Sequence, residues 1–185
     1  MSKNFKNIRT LTAVAAFIAM SVVFSQFLSI TFADRKFSFT FLVTATMGSV
    51  FNLPILILAQ VLIDLIGNTL FSKGFPYYPL FLVPKIVSVF IYYYFFHNKE
   101  ITWKNALIAT LLVSIICNIL LNGFAISSLM KTPYIPTLVS RAGTSTINLI
   151  QRAIMMPLLL PKLATIARRE LLRIGAIDRI PYKEQ

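Results

Sequence analysis

The sequence predicts an all-α integral membrane protein: one membrane domain over residues 1–185, a compact bundle of six transmembrane helices with both termini cytoplasmic. Three observations predict it. Hydrophobic residues make up 57% of the 185 and charged residues 13%, where a soluble domain has about 45–50% and about 25%, so polar side chains are too few to cover a water-facing surface. Charge-free runs of membrane-crossing length recur along the chain. The 18 Lys+Arg, against 6 Asp+Glu, flank those runs unevenly. The 16 Phe and 7 Tyr exclude disorder, and a single Cys, Cys117, excludes a disulfide scaffold.

Each helix follows from a run of about 20 apolar residues, the length that crosses the hydrocarbon core. Thr10 to Ala33 is free of charge and follows Lys3, Lys6 and Arg9. It is too long for a signal-peptide core and has no small-residue cleavage site, so helix 1 is expected over 10–33. Residues 37–72 contain one charge, Asp64, and exceed one span. Asn52-Leu53-Pro54 divides them, because proline disfavours helix at the residue before it and suits the first turn after it. Helices 2 and 3 are therefore expected over 37–51 and 54–71. Ser72-Lys73-Gly74-Phe75-Pro76 is a turn cluster, and helix 4 follows over 79–96. His97 to Glu100 is a polar loop, and helix 5 is expected over 105–130. Pro133 and Pro136 stop a helix, and helix 6 is expected over 142–166. A short basic tail occupies 167–185.

With six spans both termini share a side, and the positive-inside rule chooses it. Eleven Lys/Arg fall on the terminus-bearing side: Lys3, Lys6, Arg9, Lys99, Lys104, Lys162, Arg168, Arg169, Arg173, Arg179 and Lys183. Five fall on the other: Arg35, Lys36, Lys73, Lys131 and Arg141. Lys85 and Arg152 lie within spans. The expected location is a bacterial plasma membrane, crossed several times, with anionic lipid as a further contact of the basic flanks.

Composition and motif narrow the function by exclusion. One His and one Cys make no metal site of ordinary composition. The six Gly form no phosphate loop. No catalytic set is present, so neither an enzyme nor a resident cofactor or metal is expected. The cations are mostly helix flanks, which topology explains without nucleic acid.

Intramembrane ionisable residues are costly and face a cavity or a partner. Asp64, Lys85 and Arg152 qualify, with Arg141 at the outer end of helix 6. Two readings of Lys85 stand together: with Arg141 it lines an outward anion pocket, or it snorkels to the interface. Asp64 pairs with Lys36, Lys73 or Arg152 and sets packing. Arg152 sits nearer mid-span and calls for an internal pair or a polar cavity. Phe39, Tyr77, Tyr78 and Phe81 are stacking faces for a planar ligand or an interfacial aromatic belt. Asn118 and Asn122, four apart, share a face of helix 5 and bond a ligand or another helix. On helix 1, Ala15 and Ala19 have the small-xxx-small spacing that lets another helix approach.

These stretches together resemble the substrate-binding S-components of energy-coupling factor (ECF) vitamin transporters, and among them the folate family. The matching residues are Leu28-Ser29-Ile30, Lys36 to Phe41, Ile63-Asp64-Leu65-Ile66-Gly67, Gly74 with Tyr77-Tyr78-Pro79, Cys117 to Asn122, Lys131-Thr132-Pro133-Tyr134 and Arg141. The resemblance covers about residues 9–165. It implies a subunit that binds a water-soluble vitamin from outside, in a pocket between the outer loops and helices 4 to 6. Lys36, Phe39, Tyr77, Tyr78, Phe81, Lys85, Asn118, Asn122 and Arg141 are the substrate-binding candidates. It also implies docking through Ala15 and Ala19 on a transmembrane coupling subunit that two cytoplasmic ATPase subunits drive. Folate is the expected vitamin, with pantothenate or pyridoxine as alternatives, and a stand-alone secondary carrier without ATPases as the rival class. Two departures bear on the substrate. Folate-binding members tend to carry Arg where Gln26 stands, and Lys85 is an added cation.

Overall fold

The computed structural model describes residues 8–26, 30–32, 35–37, 39–70 and 78–177. The chain runs α1 (Ile8–Gln26), β1 (Ile30–Phe32), β2 (Arg35–Phe37), α2 (Thr40–Val50), α3 (Leu53–Leu70), a 3-10 turn (Pro79–Phe81) and α4 (Leu82–Phe96). Then come α5 (Trp103–Leu112), a π-helical segment (Val113–Leu121), α6 (Asn122–Met130) and α7 (Tyr134–Arg173). Among the described residues four helical stretches are long and apolar enough to cross a membrane: Ile8–Gln26, Pro79–Phe96, Trp103–Met130 and Asn148–Arg173; α2 and α3 supply two shorter apolar helices. Apolar side chains such as Leu62, Phe90, Ile115 and Leu158 stay exposed along the outside of the bundle, as lipid contact requires.

The expected first helix, 10–33, is corrected. The helix ends at Gln26, and an antiparallel hairpin follows, pairing Ile30 with Phe37, Thr31 with Lys36 and Phe32 with Arg35. Ile30, Thr31, Phe32 and Phe37 are β-branched or aromatic and fit an extended strand. Helix 2 accordingly begins at Thr40, not residue 37. Its division from α3 falls where the proline predicts: Phe51 is extended (φ −96°, ψ 155°) and Pro54 lies in the first turn of α3.

α2 is the buried centre. Every residue from Phe41 to Ser49 is buried, which identifies a helix surrounded by others. Its hydroxyls stay satisfied within the helix: Thr44 donates to the Thr40 carbonyl, Thr46 to Leu42 and Ser49 to Thr46. Gly48 lets α4 approach, since a Cβ there would lie 3.2 Å from the Cβ of Tyr92. One side of α2 (Val43, Met47) packs with Ala13, Val14, Leu56 and Ala59 of α1 and α3. The other (Phe41, Leu42, Ala45) packs with Tyr92, Phe96, Ala109, Cys117, Met156 and Leu160.

Helix 6 is also corrected. It begins at Tyr134 and runs 40 residues to Arg173, beyond the expected 142–166. Lys131, in the left-handed region (φ 53°), ends α6. Pro133 is then the N-cap of α7 and Pro136 falls in its first turn, where a missing N–H leaves no bond unmade. The prolines that stop one helix start the next. Pro157 and Pro161 lie inside the helix without ending it.

At the end carrying both termini, the tail is part of the fold. Arg168 is 5% exposed. Its guanidinium donates to the carbonyls of Ser49 (3.4 Å), Phe96 (3.2 Å) and Lys99 (3.2 Å). One cation thus caps the C-terminal ends of α2 and α4, where orphan carbonyls and the helix dipole favour positive charge. Leu171 and Ala176 are buried, and the Thr10 hydroxyl donates to the Ala176 carbonyl at 2.6 Å. Gly175, at φ +68°, leaves room for Arg9; a Cβ there would meet its guanidinium at 2.8 Å.

Candidate functional site

The opposite end gathers the outer aromatics. Tyr78 and Phe81 enclose the start of α4 edge to face, centroids 5.9 Å apart. The Tyr78 hydroxyl is 2.9 Å from the Ser128 hydroxyl of α6, so this pair leans on the α5–α6 span. Across it, Tyr134 meets Phe124 edge to face at 6.1 Å and donates to the Leu120 carbonyl at 3.3 Å. The turn between α6 and α7 is fastened by Ser127, which donates to the Thr132 carbonyl at 2.6 Å. Thr132 and Thr137 hydroxyls lie 3.1 Å apart. These groups surround an open cavity of about 630 Å³, lined by Leu120, Leu121, Phe124, Ser127, Ser128 and Tyr134. Apolar walls with a few hydroxyls, at this volume, are the ordinary make-up of a small-molecule site.

A buried polar group closes the neighbouring α3–α4 contact. Asp64, 1% exposed, pairs with Lys85, and Asn68 donates to the same carboxylate at 2.9 Å. The expected partners of Asp64 were Lys36, Lys73 or Arg152; among the described residues Lys85 reaches it, while Lys73 and the Lys36 side chain lie outside what is described. Asp64 and Lys85 stand about equally far from Gly74 in the sequence, so antiparallel α3 and α4 bring them level. Lys85 therefore neither simply snorkels nor stands as an uncommitted anion receptor. Nearby, the Gln26 side chain donates to the Gly67 carbonyl at 3.2 Å, joining the end of α1 to this layer.

The remaining candidates divide by location. Asn118 lies in the π-helical segment and Asn122 opens α6; both are half-buried. Arg141 is half-buried on the first third of α7, and burial lowers its guanidinium from the ordinary value, though an arginine stays charged at neutral pH. Phe39 is the half-buried N-cap of α2. The backbone of Lys36 pairs in the hairpin, and Tyr77 lies outside the described residues. Ala15 and Ala19 are exposed on α1, beside Thr12 and Ala16, and form a face of small side chains open to contact.

Sequence reasoning missed Ser128, Phe124 and Tyr134 as cavity walls. The signal for Phe124 and Ser128 was their spacing of four, which puts them on one helix face. It also missed that Arg152 rests over the Phe41 ring, 5.4 Å from its centroid.

No protein-family model matches the chain. It is 28% identical over 153 residues to the folate transporter FolT of Clostridium novyi (strain NT), covering 83% of this chain and 84% of that protein. Among solved structures it is similar to FolT bound with folic acid, with a TM-score of 0.75 and 28% sequence identity, over 84% of this chain and 95% of that one. Both comparisons bear out the resemblance to the folate family of S-components, and with it the expectation of a membrane transport protein and not an enzyme.

Proposed function

We propose that this chain is the membrane-embedded substrate-binding subunit of an ECF-type importer, that it captures folate from outside, and that it delivers the vitamin by docking on a transmembrane coupling subunit with two cytoplasmic ATPases. The observation that carries the reading is the similarity to a folic-acid-bound FolT over nearly the whole of that chain. The cavity lies at the end opposite the termini, and the excess of Lys and Arg beside the termini supports six spans, cytoplasmic termini and an outward-facing mouth in a bacterial plasma membrane. Tyr78, Phe81 and Tyr134 supply ring faces for a pterin, while Asn118, Asn122, Ser128 and Arg141 supply polar contacts; Lys36, Phe39 and Tyr77 are further candidate contacts on the ground of the sequence.

A binder that works by capture needs no chemistry of its own. Rings exclude water from a planar ligand, and a few hydrogen bonds and charges set its orientation. Ala15 and Ala19 would carry the docking contact, because small side chains let two membrane helices come close.

The test is calorimetric titration of the purified protein in lipid nanodiscs with folate, pantothenate and pyridoxine. Folate alone should bind, at one per chain. Binding of pantothenate or pyridoxine in its place overturns the choice of vitamin. Concentrative folate uptake into vesicles that hold this chain alone overturns the dependence on coupling subunits.

A further inference from the structure

Three cations lie in or beside the outer half of the bundle, and they are not equivalent. Lys85 is committed to Asp64. Arg141 lies high on α7, at the level of the mouth. Arg152 lies deepest, half-buried on α7. Asp64 is held by Lys85 and Asn68, Glu170 lies beside Arg173 at the far end of α7, and among the described residues Arg152 forms no ion pair. Its described surroundings are the Phe41 ring beneath the guanidinium, with Tyr92 and Cys117 within electrostatic reach.

Arg152 also lies beside unusual backbone. Cys117 belongs to the π-helical segment Val113–Leu121, a geometry that is rare and found mostly at functional sites. Leu120 and Leu121, one turn further along, are cavity walls. One turn the other way is Ser114, 2% exposed, whose hydroxyl has no hydrogen-bond partner among the described residues. Buried hydroxyls are ordinarily paired. The half-buried Asn118 thus lies two to three residues from the cavity walls Leu120 and Leu121, the unpartnered Ser114 hydroxyl lies six to seven residues from them, and α7, which carries Arg152, packs along this same segment.

We infer that Arg152 is the specificity residue that receives an anionic end of the ligand, a carboxylate, below the cavity floor, with Ser114 and Asn118 as hydrogen-bonding neighbours. A guanidinium matches a carboxylate fork to fork, and the water-poor setting strengthens the contact. Lys85 is left to hold α3 against α4. The inference rests on the folate reading only for the identity of the acid.

The test compares wild type, Arg152→Gln and Arg152→Lys in nanodiscs. The probes are folate, its diamide with both glutamyl carboxylates capped, pantothenate and its neutral alcohol pantothenol. Arg152→Gln should weaken folate by about 30-fold or more and change the diamide by less than about threefold. Arg152→Lys keeps the charge and the ring contact but loses the fork, and should lose about three- to tenfold for folate only. Equal weakening of folate and diamide, or no weakening, overturns the assignment. Should Arg152→Gln fail to fold, Arg152→Lys decides by the same comparison. If wild type binds neither pteridine compound, the folate reading fails and the second pair decides. Tighter binding of pantothenate than pantothenol, lost in the Arg152 variants, supports the assignment; no preference for the acid, or no binding of either, overturns it.

Discussion

At the scale of single residues, the Asp64–Lys85 pair decides most. Asp64 is fully buried while the Lys85 side chain is 42% exposed, so the two ends of the pair are unequal. Lys85→Met should leave the buried carboxylate without its ammonium partner and destabilise the protein by about 1–3 kcal/mol, the discounted cost of a pair with one wet end. Asp64→Asn with Lys85→Met removes both charges and should recover most of that loss, read as thermal melting in detergent. His97 offers a second test. It stacks on Tyr93 at 4.3 Å and its pKa lies below the ordinary 6.5, through burial first and the Arg168 charge second, against the Gly48 backbone carbonyl, which favours the protonated ring as acceptor and raises it. The unfolded chain then takes up a proton more readily than the folded one. Stability is complete above pH 6.5 and falls as pH drops through that value toward the lowered one. The melting temperature should decline between pH 7.5 and 5.5, and His97→Gln should flatten the slope. Arg168 was legible only as a tail charge, because nothing local in the sequence distinguishes a cation that caps two helices from one in water. The Asp64–Lys85 pairing was legible in principle, through hairpin symmetry about Gly74.

At the scale of elements, charge-free runs and prolines located the helical segments well. They failed where geometry changes without a charge. From Phe27 to Ala33 no charge marks the end of the helix, so a charge-free run cannot tell a helix from the first strand of the hairpin. The π-helical segment left no mark either, since its residues are as apolar as the turns on either side. At Pro133 and Pro136 the same residue type serves both a stop and a start. The small-residue face of α1 leads to an element-level prediction. Ala15→Trp or Ala19→Trp should abolish vitamin transport by the assembled importer while leaving folate affinity within about twofold, because both side chains point out of the bundle. Loss of folate binding in step with transport would remove the docking assignment.

For the whole molecule, the membrane class was legible from composition, and the two-ended arrangement from the charges. What no local pattern held was the placement of α2 at the centre with the tail folded across its end, since both depend on contacts between segments more than 100 residues apart, such as Arg168 with Ser49. Topology is open to direct measurement. In a Cys117→Ala background, a cysteine at Thr132 should react with a membrane-impermeant maleimide added outside intact cells. One at Asn98 should react only after permeabilisation. The reverse pattern would invert the orientation.

α7 has a mechanical consequence. At 1.5 Å per residue its 40 residues extend about 60 Å, twice the hydrocarbon thickness of about 30 Å. Tyr134 sits at the cavity, and Arg168 grips three carbonyls near the other end. A stiff rod pinned at both ends is a lever. A 5° tilt about its middle displaces each tip by about 2.6 Å, enough to break the hydrogen bonds of Arg168. Pro157 and Pro161 remove two of the rod's own backbone bonds, so this stretch is its most compliant point, and stiffness there governs how far movement at the mouth is felt at the opposite face of the membrane.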